Sequence, residues 1–293
     1  MRRPRRAFCV SRDDGVRRVV GTALANAGLV VDHAETLPSP AQISDDVAVI
    51  VVDRATRQAF GEALRRVSAP VVIVGDDLDD DGLITLMLEG PVSHLVADPA
   101  DPDLGITSEK LATGDLFGLE KYLAPDAGIG ERVIRSEHEK RHAMDEVCAW
   151  AEAVGARRPV VHRIMSVVDE LLMNALRDTS DGQRRAILRW GSDPDAGRLA
   201  ISVGDGFGAL RQRDLIDNVL RARTQGGRPQ HVSMSASGGA GLGLYLVLAN
   251  VASLVVNIAP GEQTEVVCVF DLAKGTQAGA IASVRSLHVF AGS

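Results

Sequence analysis

Aromatic residues are scarce in this chain of 293 residues. Phe, Trp and Tyr together make up 3% of it, and only two Trp and two Tyr are present. Proteins that bind single-stranded nucleic acids stack bases on aromatic rings, and aromatic cages hold quaternary amines. The composition therefore disfavours both kinds of binding and predicts an aliphatic core.

Cysteine and positive charge are also limited. The three cysteines, Cys9, Cys148 and Cys268, are odd in number and form no CxxC pair, so we expect reduced thiols and neither disulfides nor a zinc site. The 39 acidic residues outnumber the 32 Lys and Arg, for a net charge of −7. An acidic chain is not attracted to a phosphate backbone, so we expect no direct nucleic-acid partner, although a local basic patch stays open.

Long apolar runs are absent as well. The apolar stretches have the length of strands, far below the roughly 20 residues of a membrane span. The basic segment 1–6 precedes only a short apolar run, 7–10, which is not the pattern of a secretory signal. We therefore expect a folded cytoplasmic protein without membrane contact, and its hydrophobic content of 45% is ordinary for a globular chain.

The first third of the chain alternates strand-like and helix-like segments. Residues 47–52 are apolar throughout, as in a parallel strand covered on both faces, and this run ends at Asp53. Strands that alternate with helices predict a doubly wound α/β domain, which we place at residues 7–112. Its strands are predicted at 7–10, 29–31, 47–52, 71–74 and 93–96, and its helices at 15–27 and 83–88.

The composition changes after residue 98. A segment rich in Asp, Pro and Gly marks a domain boundary, and we predict a linker over 113–130. Helices followed by strands then predict an α+β sandwich over 131–273, and the tail, 274–293, is predicted to add an edge strand within 281–290. The predicted helices are 131–154 and 160–176, and the predicted strands are 186–190, 199–203, 254–258 and 266–270.

The first of three polar segments in the second domain lies on a predicted helix. Glu170 and Asn174 are four residues apart, so their side chains lie one turn apart on one face. An amide oxygen there can complete the octahedral shell of Mg²⁺ when phosphates and water supply the other ligands. The carboxylate can polarise a water or a hydroxyl. Taken alone, the pair also fits a solvated helix face.

The second segment is a strand that ends in a glycine-rich turn, with Asp205 followed by Gly206, Phe207 and Gly208. A carboxylate there can accept a hydrogen bond from an exocyclic amine, and glycines let the backbone approach a flat ligand. Taken alone, an Asp-Gly turn is also a common way to end a strand.

The third segment is a run of small residues that enters an apolar helix. Gly239, Gly241 and Gly243, with Leu242 among them, can turn backbone amides towards phosphate oxygens at the helix N-terminus. The letters are similar to a dinucleotide fingerprint. However, no strand directly precedes them and no βαβ unit surrounds them, so we do not expect a Rossmann site.

In this order, the three segments resemble the GHKL type of ATP-binding domain, which histidine kinases, anti-sigma serine kinases, DNA gyrase and MutL mismatch-repair proteins share. The resemblance covers residues 131–273 and implies that ATP and Mg²⁺ are bound. It implies that Asn174 ligates magnesium and that Glu170 is the catalytic acidic residue. One departure concerns the turn. In the family the glycines are the second and fourth residues after the Asp, whereas here they are the first and third, Gly206 and Gly208.

The resemblance assigns the remaining contacts as well. Asp205 is expected to accept the adenine amine, with Gly206 and Gly208 beside it, and Thr264 is expected near the adenine. The phosphates are expected at Gly239, Gly241, Leu242 and Gly243. Residues 211–237 fall where the family has a lid over ATP, and arginines there could reach phosphates or remain solvated: Arg211, Arg213, Arg221, Arg223 and Arg228.

The first domain resembles a response-regulator receiver, with Asp53 at the phosphoacceptor position. Transfer of a phosphoryl group to a carboxylate needs magnesium held by an acidic pair and a cation for the developing charge. Ser11 and Arg12 stand at the acidic pair, Gly75 at the hydroxyl position and Asp98 at the lysine position. We therefore predict a pseudo-receiver used for docking or dimerisation, with phosphorylation of Asp53 as the secondary reading.

The function expected from these segments is that of a bacterial, cytoplasmic, ATP-binding regulator in a two-component-like pathway. We expect either an ATP-dependent protein kinase of the anti-sigma serine-kinase or histidine-kinase-like type, or a weak ATPase. The alternative is a non-catalytic, ATP-dependent switch or scaffold. The expected partner is a protein, similar to a sigma-factor regulator or a response regulator, and a homodimer stays open. His138 lies only 32 residues before Glu170, too few for a phosphoacceptor hairpin, so we predict a surface position for it.

Overall fold

The computed structural model describes residues 5–39, 42–43, 46–75, 93–177, 185–211, 240–272 and 285–291. These residues form six α-helices and eleven strands, so the prediction of a mixed α/β protein is confirmed. The chain divides into two compact units. Unit 1 comprises Met1–Leu116 and Arg285–His288, and unit 2 comprises Phe117–Val284 and Val289–Ser293.

Unit 1 is built on five parallel strands in the order β2-β1-β3-β4-β5. The central strand β3 is buried along its length except at its last residue, Asp53, as its unbroken apolar run predicted. The second strand begins one residue later than the predicted 29–31 and continues to Ala34. The strands are β1 Arg6–Val10, β2 Val30–Ala34, β3 Val47–Asp53, β4 Val71–Val74 and β5 His94–Val96.

Three described helices accompany this sheet: α1 Asp14–Asn26, α2 Arg54–Leu64 and α3 Asp103–Thr113. Helix α1 begins after Asp13, whose carboxylate accepts hydrogen bonds from the amides of Gly15 and Val16. Helix α3 ends at Thr113, and the residue that follows, Gly114, has a left-handed φ of 75°. The predicted helix at 83–88 lies outside the described residues.

The C-terminal strand β11, Ser286–Ala291, begins in unit 1. Its first residues pair antiparallel with β5, with Ser286 opposite Val96 and His288 opposite His94. The Ser286 hydroxyl donates to a carboxylate oxygen of Asp103 on α3. The tail therefore forms a strand beside β5.

Unit 2 contains five strands in the order β9-β10-β8-β7-β6, with every neighbouring pair antiparallel. Its helices are α4 Glu137–Ala153, α5 Arg158–Arg177 and α6 Ala240–Asn250. None of the helices in the described part of the chain has the length and apolar character needed to cross a membrane. The strands are β6 Ile129–Ile134, β7 Ala186–Asp193, β8 Arg198–Asp205, β9 Ser253–Ala259 and β10 Gln263–Asp271.

The predicted helix over 131–154 is wrong at its start, because residues 129–134 form strand β6. The helix begins after Ser136, whose Oγ accepts a hydrogen bond from the Glu139 amide at 3.2 Å. In return, Glu139 Oε2 accepts one from the Arg135 amide at 2.6 Å. This capping arrangement fixes the start of α4.

The segment predicted as the linker contains ordered structure that packs on unit 2. Leu119–Tyr122 forms a 3₁₀ turn, and the side chains of Leu119 and Tyr122 are buried. The Gly118 amide donates to Glu265 Oε2 on β10 at 2.9 Å, and the Asn257 side chain on β9 donates to the same oxygen at 3.0 Å. This part of the segment therefore belongs to the core of unit 2.

Candidate functional site

Helix α5 presents Glu170 and Asn174 beside its buried stripe. Apolar residues at helical spacing pack one face of this helix into the core. The orientation of the helix about its axis is therefore fixed, and with it the direction in which the two polar side chains point. Both are partly buried, and Asn174 Nδ2 donates a hydrogen bond to Glu170 Oε1 at 2.9 Å. The amide thus directs its nitrogen to the carboxylate. The buried residues of α5 are Val160, Val161, Ile164, Val167, Val168, Leu171, Leu172 and Leu176.

An ion pair that the sequence did not reveal joins helix α4 to α5 beside Glu170. Lys140 Nζ lies 2.7 Å from Asp169 Oδ1, directly before Glu170 in the chain, and 3.8 Å from Glu137 Oε1. The Lys140 side chain is only 7% exposed, whereas that of Asp169 is 51% exposed, so the pair lies where the buried face of the helices meets solvent. Lys140 lies on the buried face of α4 with Ala143 and Val147, and nothing in the sequence identified its partner on α5.

Helix α6 brings the third segment against the first. A Cβ atom built on Gly243 would overlap the carboxylate of Glu170, so the third segment lies directly against this side chain. Gly241, Leu242 and Gly243 lie in the first turn of α6, where backbone amides have no partner within the helix. Gly239 and the arginines of the predicted lid other than Arg211 lie outside the described residues.

The Asp205 turn forms as the second segment predicted. Asp205 ends β8, and its Oδ1 accepts hydrogen bonds from the amides of Phe207 at 2.9 Å and Gly208 at 3.2 Å. Gly208 has a φ of +56°, and a Cβ there would overlap the carbonyl oxygen of Ala259. Gly206 faces open space, with nothing within 4 Å of such an atom.

Thr264 lies directly opposite Asp205 in the antiparallel pair of β10 with β8. Side chains at opposed positions share one face of the sheet, with Cβ atoms about 4.5–5.5 Å apart. Thr264 is 4% exposed, and its Oγ1 has no hydrogen-bond partner among the described residues. No described residue donates to Asp205 Oδ2 either. Two residues assigned to adenine are therefore neighbours, and both have polar atoms available.

Unit 1 places Asp53 at the carboxyl end of its central strand, beside a cavity of about 460 Å³. Asp53 Oδ1 accepts a hydrogen bond from the Thr56 amide at 2.6 Å, which caps α2, and Oδ2 accepts one from the Ser11 hydroxyl. Arg12 and Gly75 line the cavity. Asp98 Oδ1 accepts from the Ala100 amide at 2.8 Å, so this carboxylate is used within its own loop.

The cysteines form no disulfide. Burial raises the pKa of the Cys9 thiol to about 12, with the Arg17 charge opposing and the Asp53 charge adding to the shift. Burial also raises the pKa of Cys268 and of Cys148. Thiolates, the form that binds metals, are therefore disfavoured at all three positions. In the described ranges, no group of three or more His, Cys, Asp or Glu is arranged to hold a metal ion.

No family model and no curated protein matches this sequence.

Proposed function

We propose that the protein is an ATP-binding signal-transduction regulator, a protein kinase of the anti-sigma serine-kinase or histidine-kinase-like type that acts on a partner protein. The observation that carries the proposal is the pairing of Asp205 with Thr264, whose buried hydroxyl has no partner among the described residues. A second contact, between Gly243 and the Glu170 carboxylate, supports it by joining two of the three sequence segments.

The Asp205 and Thr264 pair fits the edge of an adenine ring. A buried hydroxyl left without a hydrogen bond costs about 1–3 kcal/mol, so such groups are normally satisfied by a ligand or by water. Thr264 can donate and accept, while Asp205 Oδ2 accepts only. The adenine edge presents an amine donor beside ring nitrogen acceptors, which is the complementary pattern.

The polar pair on α5 fits the phosphate end of the same ligand. The hydrogen bond from Asn174 Nδ2 to Glu170 uses the donor end of the amide, and the oxygen end is the one that ligates Mg²⁺. The first-turn amides of α6 offer donors to phosphate oxygens. When bound, ATP would supply the phosphoryl group, and magnesium would neutralise part of the charge on the phosphates.

Glu170 is the residue we assign to the activation of the acceptor. Asn174 and the contact with Gly243 orient its carboxylate, and the Lys140–Asp169 ion pair holds the helix from which it projects. An oriented carboxylate can accept the proton of a Ser or Thr hydroxyl as it attacks. We propose a hydroxyl on the partner protein as the acceptor.

Unit 1 supplies the regulatory half of the proposal. Its strand order, β2-β1-β3-β4-β5, is the order of flavodoxin-like sheets, to which receivers belong. Both carboxylate oxygens of Asp53 accept hydrogen bonds within the protein, and Arg12 stands where a receiver needs an acid. We therefore propose a pseudo-receiver that docks a partner or a second copy and is not phosphorylated on Asp53.

Base selectivity tests the adenine assignment. Asp205→Asn puts an amide where the carboxylate accepts the adenine amine, so we expect ATP to bind roughly ten- to hundredfold more weakly, the value of a hydrogen bond to a charged group. Competition of ATP and GTP for a bound fluorescent nucleotide measures this, and the wild type should prefer ATP. Asp193→Asn is the matched control, because Asp193 also caps a turn, through the Ala196 amide. Equal loss in both variants, or no loss in Asp205→Asn, would contradict the assignment.

Substitution of Glu170 separates the kinase from the non-catalytic switch. In Glu170→Gln the Oε1 acceptor for Asn174 is retained, so we expect nucleotide binding close to that of the wild type but no transfer of ³²P from ATP to a captured partner. If the partner instead responds to ATP equally in wild type and variant, the switch is the correct alternative.

A further inference from the structure

Two histidines lie side by side on helix α4, outside the proposed nucleotide chemistry. His138 and His142 are four residues apart, so their side chains lie next to each other on one face of the helix. The ring centroids are 4.5 Å apart and the ring planes meet at 86°. Both side chains are exposed to solvent.

We propose that His138 and His142 chelate a late first-row divalent cation of the Zn²⁺ class. Imidazole nitrogens suit such ions and bind Zn²⁺ at about 2.0–2.1 Å, so two nitrogens on one tetrahedral ion lie about 3.3 Å apart. Rings whose centroids are already 4.5 Å apart can turn two nitrogens to a shared ion by rotation about their own side-chain bonds. The backbone of the helix does not need to move.

Contacts on both sides of the histidine pair hold helix α4 in place. The Ser136 cap fixes its first turn, and Ala143 and Val147 are buried one and two turns further along. A preordered backbone lowers the entropy that two ligands lose when they bind one ion. Because the site is built on a fixed helix, binding should not require folding.

The charges beside the pair are of both signs, because Arg135 and Arg141 are exposed near it as well as Glu137 and Asp145. The side chain of Lys140, which lies between the two histidines in the chain, is buried, and its ammonium group is paired with Asp169. Glu137 and Glu139 place acidic side chains in the first turn of the same helix. The repulsion that a free lysine would exert at this site is therefore reduced.

The site would differ from the proposed magnesium site in ligand chemistry. Magnesium prefers oxygen ligands, whereas imidazole suits Zn²⁺, Cu²⁺ and Ni²⁺. No third His, Cys, Asp or Glu of the described ranges is grouped with the pair. Two of the four positions of a tetrahedral ion would therefore remain open to water or to a group from another molecule.

Calorimetric titration of tag-free protein with Zn²⁺ tests the proposal. We expect one saturable equivalent in the wild type and loss of that binding in both His138→Ala and His142→Ala, because each removes half of the chelate. His162→Ala is the matched control, since His162 is an exposed single histidine on α5, and it should bind as the wild type does. Amide exchange in the first two turns of α4 should slow with Zn²⁺ only in the proteins that bind.

Three outcomes would overturn the site. They are no saturable binding by the wild type, unchanged binding in either single-histidine variant of the pair, and loss of binding in Cys148→Ser, which would place the ion on the thiol of the same helix. The substituted histidines are exposed, so circular dichroism should remain that of the wild type and failure to fold would not confuse the result.

Discussion

Gly206 and Gly208 lie two residues apart in the turn that follows β8, but only one of them has room for a side chain. At Gly208 the backbone is left-handed, and a Cβ atom would overlap backbone atoms of the turn at 259–262. The Gly261 amide donates a hydrogen bond to the Gly208 carbonyl at 3.2 Å, so the two turns are in direct contact. The glycine spacing, which differs from that of the GHKL-type domains the sequence resembles, therefore fits the backbone packing at Gly208. Gly208 lets the β8 turn meet the turn between β9 and β10.

Substitution of these two glycines should have unequal effects on stability. Gly208→Ala forces a left-handed φ and a backbone overlap, so we expect the free energy of unfolding to fall by roughly 1–3 kcal/mol. Gly206→Ala should change it by less than about 0.5 kcal/mol, because its surroundings are open. Urea unfolding followed by tryptophan fluorescence measures both, since Trp190 lies on β7 of the same unit. Equal stability of the two variants would contradict this account of the turn.

Among the elements, the C-terminal strand β11 introduces buried ionisable groups into unit 1. The His288 and His94 rings lie 5.7 Å apart, and Lys110 of α3 is buried nearby. Burial, with the Lys110 charge adding to it, lowers the pKa of His288 from 6.5 to about 3. Burial, the His288 ring and Lys110 also hold the pKa of His94 well below its usual value. Both histidines are therefore neutral in the folded protein near neutral pH.

This arrangement should make unit 1 less stable in acid. In the unfolded chain His288 takes up a proton below pH 6.5, whereas the folded protein takes one up only near pH 3, so its contribution is present above pH 6.5 and is lost as the pH falls towards 3. His288→Leu should reduce this dependence. Hydrogen exchange of the β5 amides at pH 7 and pH 5, in wild type and variant, measures the difference. An unchanged dependence in the variant would refute the assignment, and His138→Leu serves as the exposed-histidine control.

The sequence predicted elements best where one kind of burial dominates a segment. The continuous apolar run of β3 and the helix α5 were both predicted, to within a residue or two at each end. Strand β6 was missed because only one of its six residues is buried and it includes Glu131 and Arg132, which suit a helix surface equally well. The capping pattern at Ser136 and Glu139 was the signal that could have placed the start of α4 correctly.

At the scale of the whole molecule, the chain consists of two compact units. Residues 285–288 belong to unit 1 and residues 289–293 to unit 2. The Glu170–Asn174 pair of unit 2 could be predicted from sequence because the two residues lie one helical turn apart. The buried contact of Glu265 with Gly118 could not, since 147 residues separate the two in the chain and Glu265 sits in an otherwise apolar run. Long-range contacts of this kind require the fold, whereas motif chemistry does not.

Calorimetric titration of the full chain with magnesium-ATP tests whether unit 2 binds this nucleotide. We expect saturable binding at one site, weakened when magnesium is withheld, in Asn174→Ala and in Thr264→Val, and unchanged in Asp193→Asn. If a protein that is folded by circular dichroism shows no saturable binding at millimolar magnesium-ATP, the proposed nucleotide site is wrong and the protein is a scaffold without a nucleotide.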